Sequence, residues 1–142
     1  MRRDRIGYFM VGVGTGALLD GVVLHQLLQW HHLLSLKTPV TTVGGLERNT
    51  LADGIFHITF LVVLLVGIAL LVGAPIEPRP LVALGLVGWG VFHVIDQLVF
   101  HLALQAHHIR EGVENPELYD WTFFGIGLAF IAAGSFMYRG RA

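Results

Sequence analysis

The sequence contains no cysteine among its 142 residues. This absence excludes disulfide bonds, thiolate metal sites and covalent attachment of a c-type haem. Methionine is scarce as well, with three scattered residues, so a methionine-lined copper(I) path is not expected. Charged residues make up only 13% of the chain and the formal net charge is −1, so the composition does not indicate a nucleic-acid partner.

Most of the sequence is apolar. Hydrophobic residues account for 54% of the chain, and the mean hydropathy of +0.68 is too high for an ordinary soluble domain. Four stretches approach or exceed the ~20 residues that a helix needs to cross a bilayer. They cover residues 6–34, 51–72, 81–108 and 121–138. We therefore predict one all-α integral membrane domain over residues 1–142, built as a four-helix bundle in the lipid bilayer.

Basic residues predict the orientation of this bundle, because cytoplasmic loops carry an excess of lysine and arginine. With the N-terminus inside, six arginines fall on the cytoplasmic side: Arg2, Arg3, Arg5, Arg79, Arg139 and Arg141. The opposite side holds Lys37, Arg48 and Arg110. Both termini are therefore expected in the cytoplasm, with the protein in the cell (inner or plasma) membrane.

The polar residues of the spans form an internal repeat. Residues 11–32 align with residues 87–108, with ten identities in 22 positions. The pattern D-x4-H-x3-Q-x-H-H, which starts at Asp20, starts again at Asp96. The second and fourth stretches match more weakly, with Asp53 opposite Asp120. This repeat predicts two helical hairpins, about 6–72 and 81–138, related by a pseudo-twofold axis along the membrane normal.

Ionisable groups in a span nearly always face the interior of the bundle and indicate a functional site. On a continuous α-helix, His25 and His32 share one stripe with Gln29 between them, and His57 falls at the depth of His25 and His101. Imidazoles from three helices with carboxylates nearby suit a transition metal. We predict a metal site whose ligands are drawn from His25, His57, His101, His32, His108 and Asp53. A second set is predicted to support these ligands or add to them: Asp20, Asp96, His31, His107, Gln29, Gln105 and His93.

Three motifs resemble a known family. They are D-G-V-V-L-H-Q-L-L-Q-W-H-H from Asp20, A-D-G-I-F-H ending at His57, and H-H-I-R-E-G from His107. With them, nearly the whole chain resembles the small prokaryotic membrane proteins catalogued as domain of unknown function 2243. The resemblance supports the fold and the motif boundaries and implies no activity.

Several functions stay open at this stage. The leading hypothesis is a membrane protein that binds copper or zinc, with iron as a third choice, near its outer face for redox or oxygen chemistry or for metal handling. A b-type cytochrome with His25 and His101 as the axial haem ligands is the second hypothesis. A proton or metal-ion transport subunit is the third, and a scaffold whose polar residues only join helices is the fourth. A homo-oligomer or a redox partner in the membrane would suit the first two, and a metal-dependent membrane oxidoreductase is one form of the first.

Overall fold

The computed structural model describes residues 3–139, and these residues form helices and loops without a β-strand. Helix α1 covers Arg3–Asp20, α2 covers Val43–Leu71, α3 covers Pro78–Asp96 and α4 covers Pro116–Arg139. Two π-helical segments, Gly21–Leu27 and Gln97–Ala103, prolong α1 and α3. All four resulting helices are long and apolar enough to cross a membrane, which confirms the predicted all-α, four-span fold. Arg2 and Arg141, which entered the charge comparison, lie outside the described residues.

Helices α1 and α3 pack against each other at the centre, α2 packs on α1, and α4 packs on α3. The central crossing is very close. A methyl group on Gly12 would collide with the backbone of Gly85, and one on Gly88 would collide with the carbonyl of Phe9. Small residues permit such approach, and helices in lipid depend on it because no hydrophobic force drives them together.

The two hairpins make equivalent contacts. Gly14 of α1 packs on Leu64 of α2, and Gly90 of α3 packs on Ile131 of α4. Gly14 and Gly90 are 76 positions apart, and Leu64 and Ile131 are 67 apart, which are the offsets of the sequence repeat. The repeat therefore extends to the positions at which backbones touch.

The ends of the first and third spans differ from the prediction. The stretches 6–34 and 81–108 were expected to be continuous helices, but the first ends at Leu27 and the third at Ala103. The last turns are wider than an α-helix, with hydrogen bonds from Leu28 N to Val23 O and from Leu104 N to Val99 O, both 2.8 Å. Gln29 and Gln105 then take left-handed backbone, with φ of 49° and 47°, and reverse the chain.

This reversal overturns the predicted helical stripes. His32 no longer shares a helix with His25, so the predicted stripe of His25, Gln29 and His32 is wrong. The physical reason is that each wide turn and the left-handed glutamine after it direct the next residues back toward the helix ends. Two loops, 28–42 and 104–115, therefore cover this end of the molecule.

Helix α2 also begins earlier than predicted, at Val43 instead of position 51. Thr42 caps it, because its Oγ1 accepts a hydrogen bond of 3.1 Å from the backbone N–H of Gly45. Such a cap satisfies one of the free N–H groups of a first turn. As a consequence Asp53 lies ten residues inside the helix and is not a first-turn acid.

Candidate metal centre

The polar residues of the repeat gather where the two covering loops meet the ends of α1 and α3. The loops bring His31 and His107 inward, so that their exposed fractions are only 3% and 1%. Ala106 and Ile109, beside them in the sequence, are buried as well. The two loops thus cover this end of the helices, and imidazole side chains form part of the covering layer.

The first hairpin contributes one group of three buried side chains, Asp20, His25 and His31. Each offers a ligand atom, and these atoms all lie within 4.8 Å of one another. Nε2 of His25 lies 3.5 Å from Oδ2 of Asp20. The other carboxylate oxygen of Asp20, Oδ1, is buried and has no hydrogen-bond partner.

The second hairpin contributes the equivalent group, Asp96, His101 and His107, also with ligand atoms within 4.8 Å of one another. Nε2 of His101 lies 3.1 Å from Oδ2 of Asp96. Each position in this group is 76 residues after its counterpart in the first. We call the two groups the first and the second triad.

The two triads adjoin at the centre of the molecule. The rings of His31 and His107 stack in parallel, with centroids 4.4 Å apart and 2° between their planes. His31 lies 4.5 Å from His25, and His107 lies 4.4 Å from His101, again between ring centroids. Four imidazoles and two carboxylates therefore form one continuous cluster.

Two aspartates outside the triads orient the inner histidines. Nδ1 of His25 lies 2.9 Å from Oδ1 of Asp53, and Nδ1 of His101 lies 3.0 Å from Oδ1 of Asp120. A carboxylate accepts a hydrogen bond, so in each ring Nδ1 carries the proton and Nε2 faces the triad. A carboxylate behind a histidine in this way is the usual support of a metal-binding imidazole.

Two backbone carbonyls orient the other pair of histidines, and they do so across the hairpins. His31 Nδ1 donates to the carbonyl of Ile109 over 2.8 Å, and His107 Nδ1 donates to the carbonyl of Leu33 over 3.0 Å. A carbonyl can only accept, so Nδ1 holds the proton in both rings. In the neutral ring the lone pair then lies on Nε2, and Nε2 of His31 is buried without any partner.

Burial keeps these two rings neutral. It lowers the pKa of His31 well below its ordinary value and lowers the pKa of His107 to about 4. Burial of the two side chains removes most of the water that would solvate an imidazolium, so the charged form is disfavoured. Neutral imidazoles with a free Nε2 lone pair are the form of histidine that binds metal ions.

Four carboxylates lie in or directly beside the cluster. Asp20, Asp53, Asp96 and Asp120 are all buried. Within residues 3–139, the ion pairs of these carboxylates are formed with histidine and not with lysine or arginine. Buried charges are costly unless they are paired or coordinate a cation. Two divalent ions would carry the charge that opposes four carboxylates.

His32 and His108 were predicted among the metal ligands, but they lie outside the two triads. Nδ1 of each lies 2.6 Å from the second oxygen of Asp53 or Asp120. The same aspartates also accept hydrogen bonds from the backbone N–H of Leu33 and of Ile109. These contacts fix the start of each loop and so place the carbonyls that orient His31 and His107.

The remaining predicted residues lie outside both triads. His57 lies against Gly21, with its ring centroid 6.2 Å from that of His25 and its Nε2 buried without a partner. His93 stacks on Phe123 at 3.8 Å and accepts a hydrogen bond from Trp89. Gln29 and Gln105 are exposed at the chain reversals.

Comparison with known proteins places the chain in a family. The sequence model of the predicted membrane proteins termed DUF2243 matches residues 7–141. The chain belongs to this family. The resemblance of the three motifs is thereby confirmed, and the match extends over both triads and all four membrane-spanning helices. No curated protein and no solved structure matches the chain.

Proposed function

We propose that this DUF2243 protein binds transition-metal ions in the buried cluster, one ion in each triad, for redox or oxygen chemistry. The observation that carries the proposal is the arrangement of His31 and His107. Both rings are neutral, both donate through Nδ1 to a carbonyl of the other hairpin, and both therefore direct the Nε2 lone pair toward a buried carboxylate. Nε2 of His31 is buried without a hydrogen-bond partner, and a bound cation would supply that partner.

The chemistry of the donors narrows the choice of metal. Each triad offers two imidazoles and one carboxylate, which suit copper, zinc and iron and do not suit the hard ions that prefer oxygen ligands alone. Three protein ligands leave a coordination position open, as in catalytic rather than structural sites. An open position on an adjacent pair of ions supports redox or oxygen chemistry more than storage.

Orientation in the membrane would set the side from which the cluster is reached. The basic residues predict cytoplasmic termini, and the triads lie at the opposite end of α1 from Arg3. The cluster would then face the outer side of the cell membrane. Metal uptake or an electron partner would approach from there.

The geometry favours this reading over a b-type haem. A bis-histidine haem needs a flat gap between His25 and His101, but the rings of His31 and His107 lie between them at spacings of 4.4 to 4.5 Å. A transport role is also less favoured, because the titratable residues of the cluster gather at one end of the spans and do not form a path through them.

Metal analysis of the purified protein tests the proposal. The protein in detergent is loaded separately with copper(II), zinc(II) and iron(II), freed of loosely bound ions, and measured by elemental analysis. We expect two ions per chain with at least one of these metals. His31→Ala and His107→Ala should each lose one ion, and His93→Ala, which changes a histidine outside the triads, should retain both.

Two results would contradict the proposal. One is a wild-type protein that holds no stoichiometric metal after loading with any of the three ions. The other is equal metal content in His31→Ala, His107→Ala and wild type. With copper(II), electron paramagnetic resonance adds an independent readout, because two adjacent ions couple and lose signal intensity relative to the total copper.

A further inference from the structure

The two triads have different surroundings despite their common pattern. Gln97 lies at the position equivalent to Gly21, 76 residues later. In the first hairpin the ring of His57 fills the space beside Gly21, and a methyl group there would collide with it. In the second hairpin Phe124 aligns with His57, and the side chain of Gln97 is itself buried.

The amide of Gln97 is unsatisfied. Its side chain is fully buried, and neither its nitrogen nor its oxygen has a hydrogen-bond partner. An unpaired buried amide costs about 1–3 kcal/mol per group. A fold tolerates such a cost where a polar molecule supplies the missing partners.

Gln97 is one of the residues that line a cavity of about 440 Å³. The cavity is lined by buried Gln97, His101 and Asp120 at its inner end and by exposed Lys37, Gln105 and Glu117 at its outer end. Its size falls in the lower part of the range for small-molecule sites, about 300–1,000 Å³. The cavity thus leads from the surface to a histidine of the second triad.

The first hairpin lacks the equivalent opening at its aspartate. There Gln26 donates to Oδ2 of Asp53 over 3.4 Å, and the corresponding residue of the second hairpin is Leu102, which cannot donate. Asp120 therefore lines the cavity, whereas Asp53 is covered by an amide. The two aspartates that orient the inner histidines therefore differ in their access to a cavity.

We propose that the cavity binds a small hydrophilic molecule that coordinates the ion of the second triad through an oxygen or nitrogen atom, with Gln97 as its hydrogen-bond partner. This inference rests on the proposed metal site. It makes the second triad the one that binds the molecule beside Gln97. Gln97 acts as a specificity-determining residue by holding the molecule, not by holding the metal.

Azide is a suitable probe, because it is small, coordinates copper(II), and gives a ligand-to-metal absorption band. Titration of the copper(II)-loaded protein in detergent should show one azide bound per chain although two ions are present. Gln97→Leu should weaken azide binding about tenfold, the equivalent of one hydrogen bond of ~1.4 kcal/mol, with metal content unchanged. Gln26→Leu, which alters the amide beside Asp53 in the first hairpin, is the control and should bind azide as the wild type does.

A second variant protects the test against misfolding at the buried site. Leu102 lies at the rim of the cavity and is 46% exposed, so Leu102→Trp narrows the cavity without changing a buried residue and should also weaken azide binding. Wild-type azide affinity in both Gln97→Leu and Leu102→Trp would overturn the inference, because only water would then occupy the cavity. Azide binding lost equally in Gln26→Leu would overturn it as well. A protein that binds no metal at all would instead refute the proposed function before any azide is added.

Discussion

Substitution of Asp53 by asparagine isolates the role of the carboxylate behind a triad histidine. In the wild type Oδ1 accepts from His25 Nδ1 and from Leu33 N, both over 2.9 Å, and Oδ2 accepts from His32 Nδ1 over 2.6 Å. An asparagine keeps the shape but has one oxygen, so at least one of these donors then faces an NH₂ group. The hydrogen bond that remains on His25 also loses the assistance of a negative charge.

The expected loss can be estimated from these contacts. Charged hydrogen bonds contribute about 1.5–3 kcal/mol and neutral ones about 0.5–1.5 kcal/mol. Loss of such support behind a metal-binding histidine weakens metal affinity about 10–100-fold, which is ~1.4–2.8 kcal/mol. Asp53→Asn should therefore lower the affinity for the ion of the first triad by this amount, and Asp120→Asn should do the same for the second.

Competition between the protein and a chelator of known affinity measures both constants in detergent. Glu114→Gln changes an exposed carboxylate of loop 104–115 that belongs to neither triad, and it is the matched control. Unchanged affinity for both ions in Asp53→Asn and Asp120→Asn would refute the reasoning. So would an equal weakening of both ions in either single variant, because each aspartate supports one triad.

Three further outcomes are expected. Gly12→Ala should lower the thermal unfolding midpoint by the equivalent of about 1–3 kcal/mol, because its methyl group meets the backbone of α3. Gly85→Ala has open space around its position and should leave the midpoint unchanged. A similar midpoint for both variants would contradict the close crossing. The buried amide of Asn49 forms hydrogen bonds with three backbone groups in and beside loop 28–42. Asn49→Ala should therefore destabilise the protein by about 1–3 kcal/mol and speed proteolysis of this loop. An unchanged rate of cleavage would contradict the anchoring role of Asn49. Burial lowers the pKa of His107 from 6.5 to about 4, so between these pH values the unfolded apo chain binds a proton that the folded chain does not. The free energy of unfolding should therefore fall as the pH drops from 6.5 to 4, by at most about 3 kcal/mol from this group. His107→Gln should show a shallower fall, and equal slopes in the two proteins would refute the prediction.

The sequence was sufficient to predict the four spans and their all-α character. Hydropathy depends on composition over a window of about 20 residues, so the existence of a span does not depend on where its helix ends. The recurrence of Asp20 and His25 at Asp96 and His101 also indicated that polar residues of different spans act together. These features are carried by residue type and spacing alone.

The ends of the helices could not be predicted, and with them the position of four histidines was missed. The stripes assumed α-helical spacing as far as His32 and His108. Gln29 and Gln105 carry no signal for left-handed backbone, which is usually taken by glycine or asparagine. The carbonyls of Leu33 and Ile109 belong to the main chain, so the residue types at these positions do not show that they orient a histidine. His31 and His107 were expected to support the ligands or add to them, and the structure places both at the centre of the cluster.

Each loop supplies a carbonyl that orients a histidine of the other hairpin, and this exchange would link the proposed metal binding to the association of the hairpins. Ile109 orients His31 and Leu33 orients His107 across the hairpins, whereas Asp53 orients His25 within the first hairpin. The first hairpin expressed alone would therefore present one oriented histidine, one loosely oriented histidine and an acid. An ion that binds only the joined form, present at a hundredfold excess over its dissociation constant, would tighten the association by about 2.7 kcal/mol. The bound metal would then fasten two membrane segments together at the end remote from their glycine crossing.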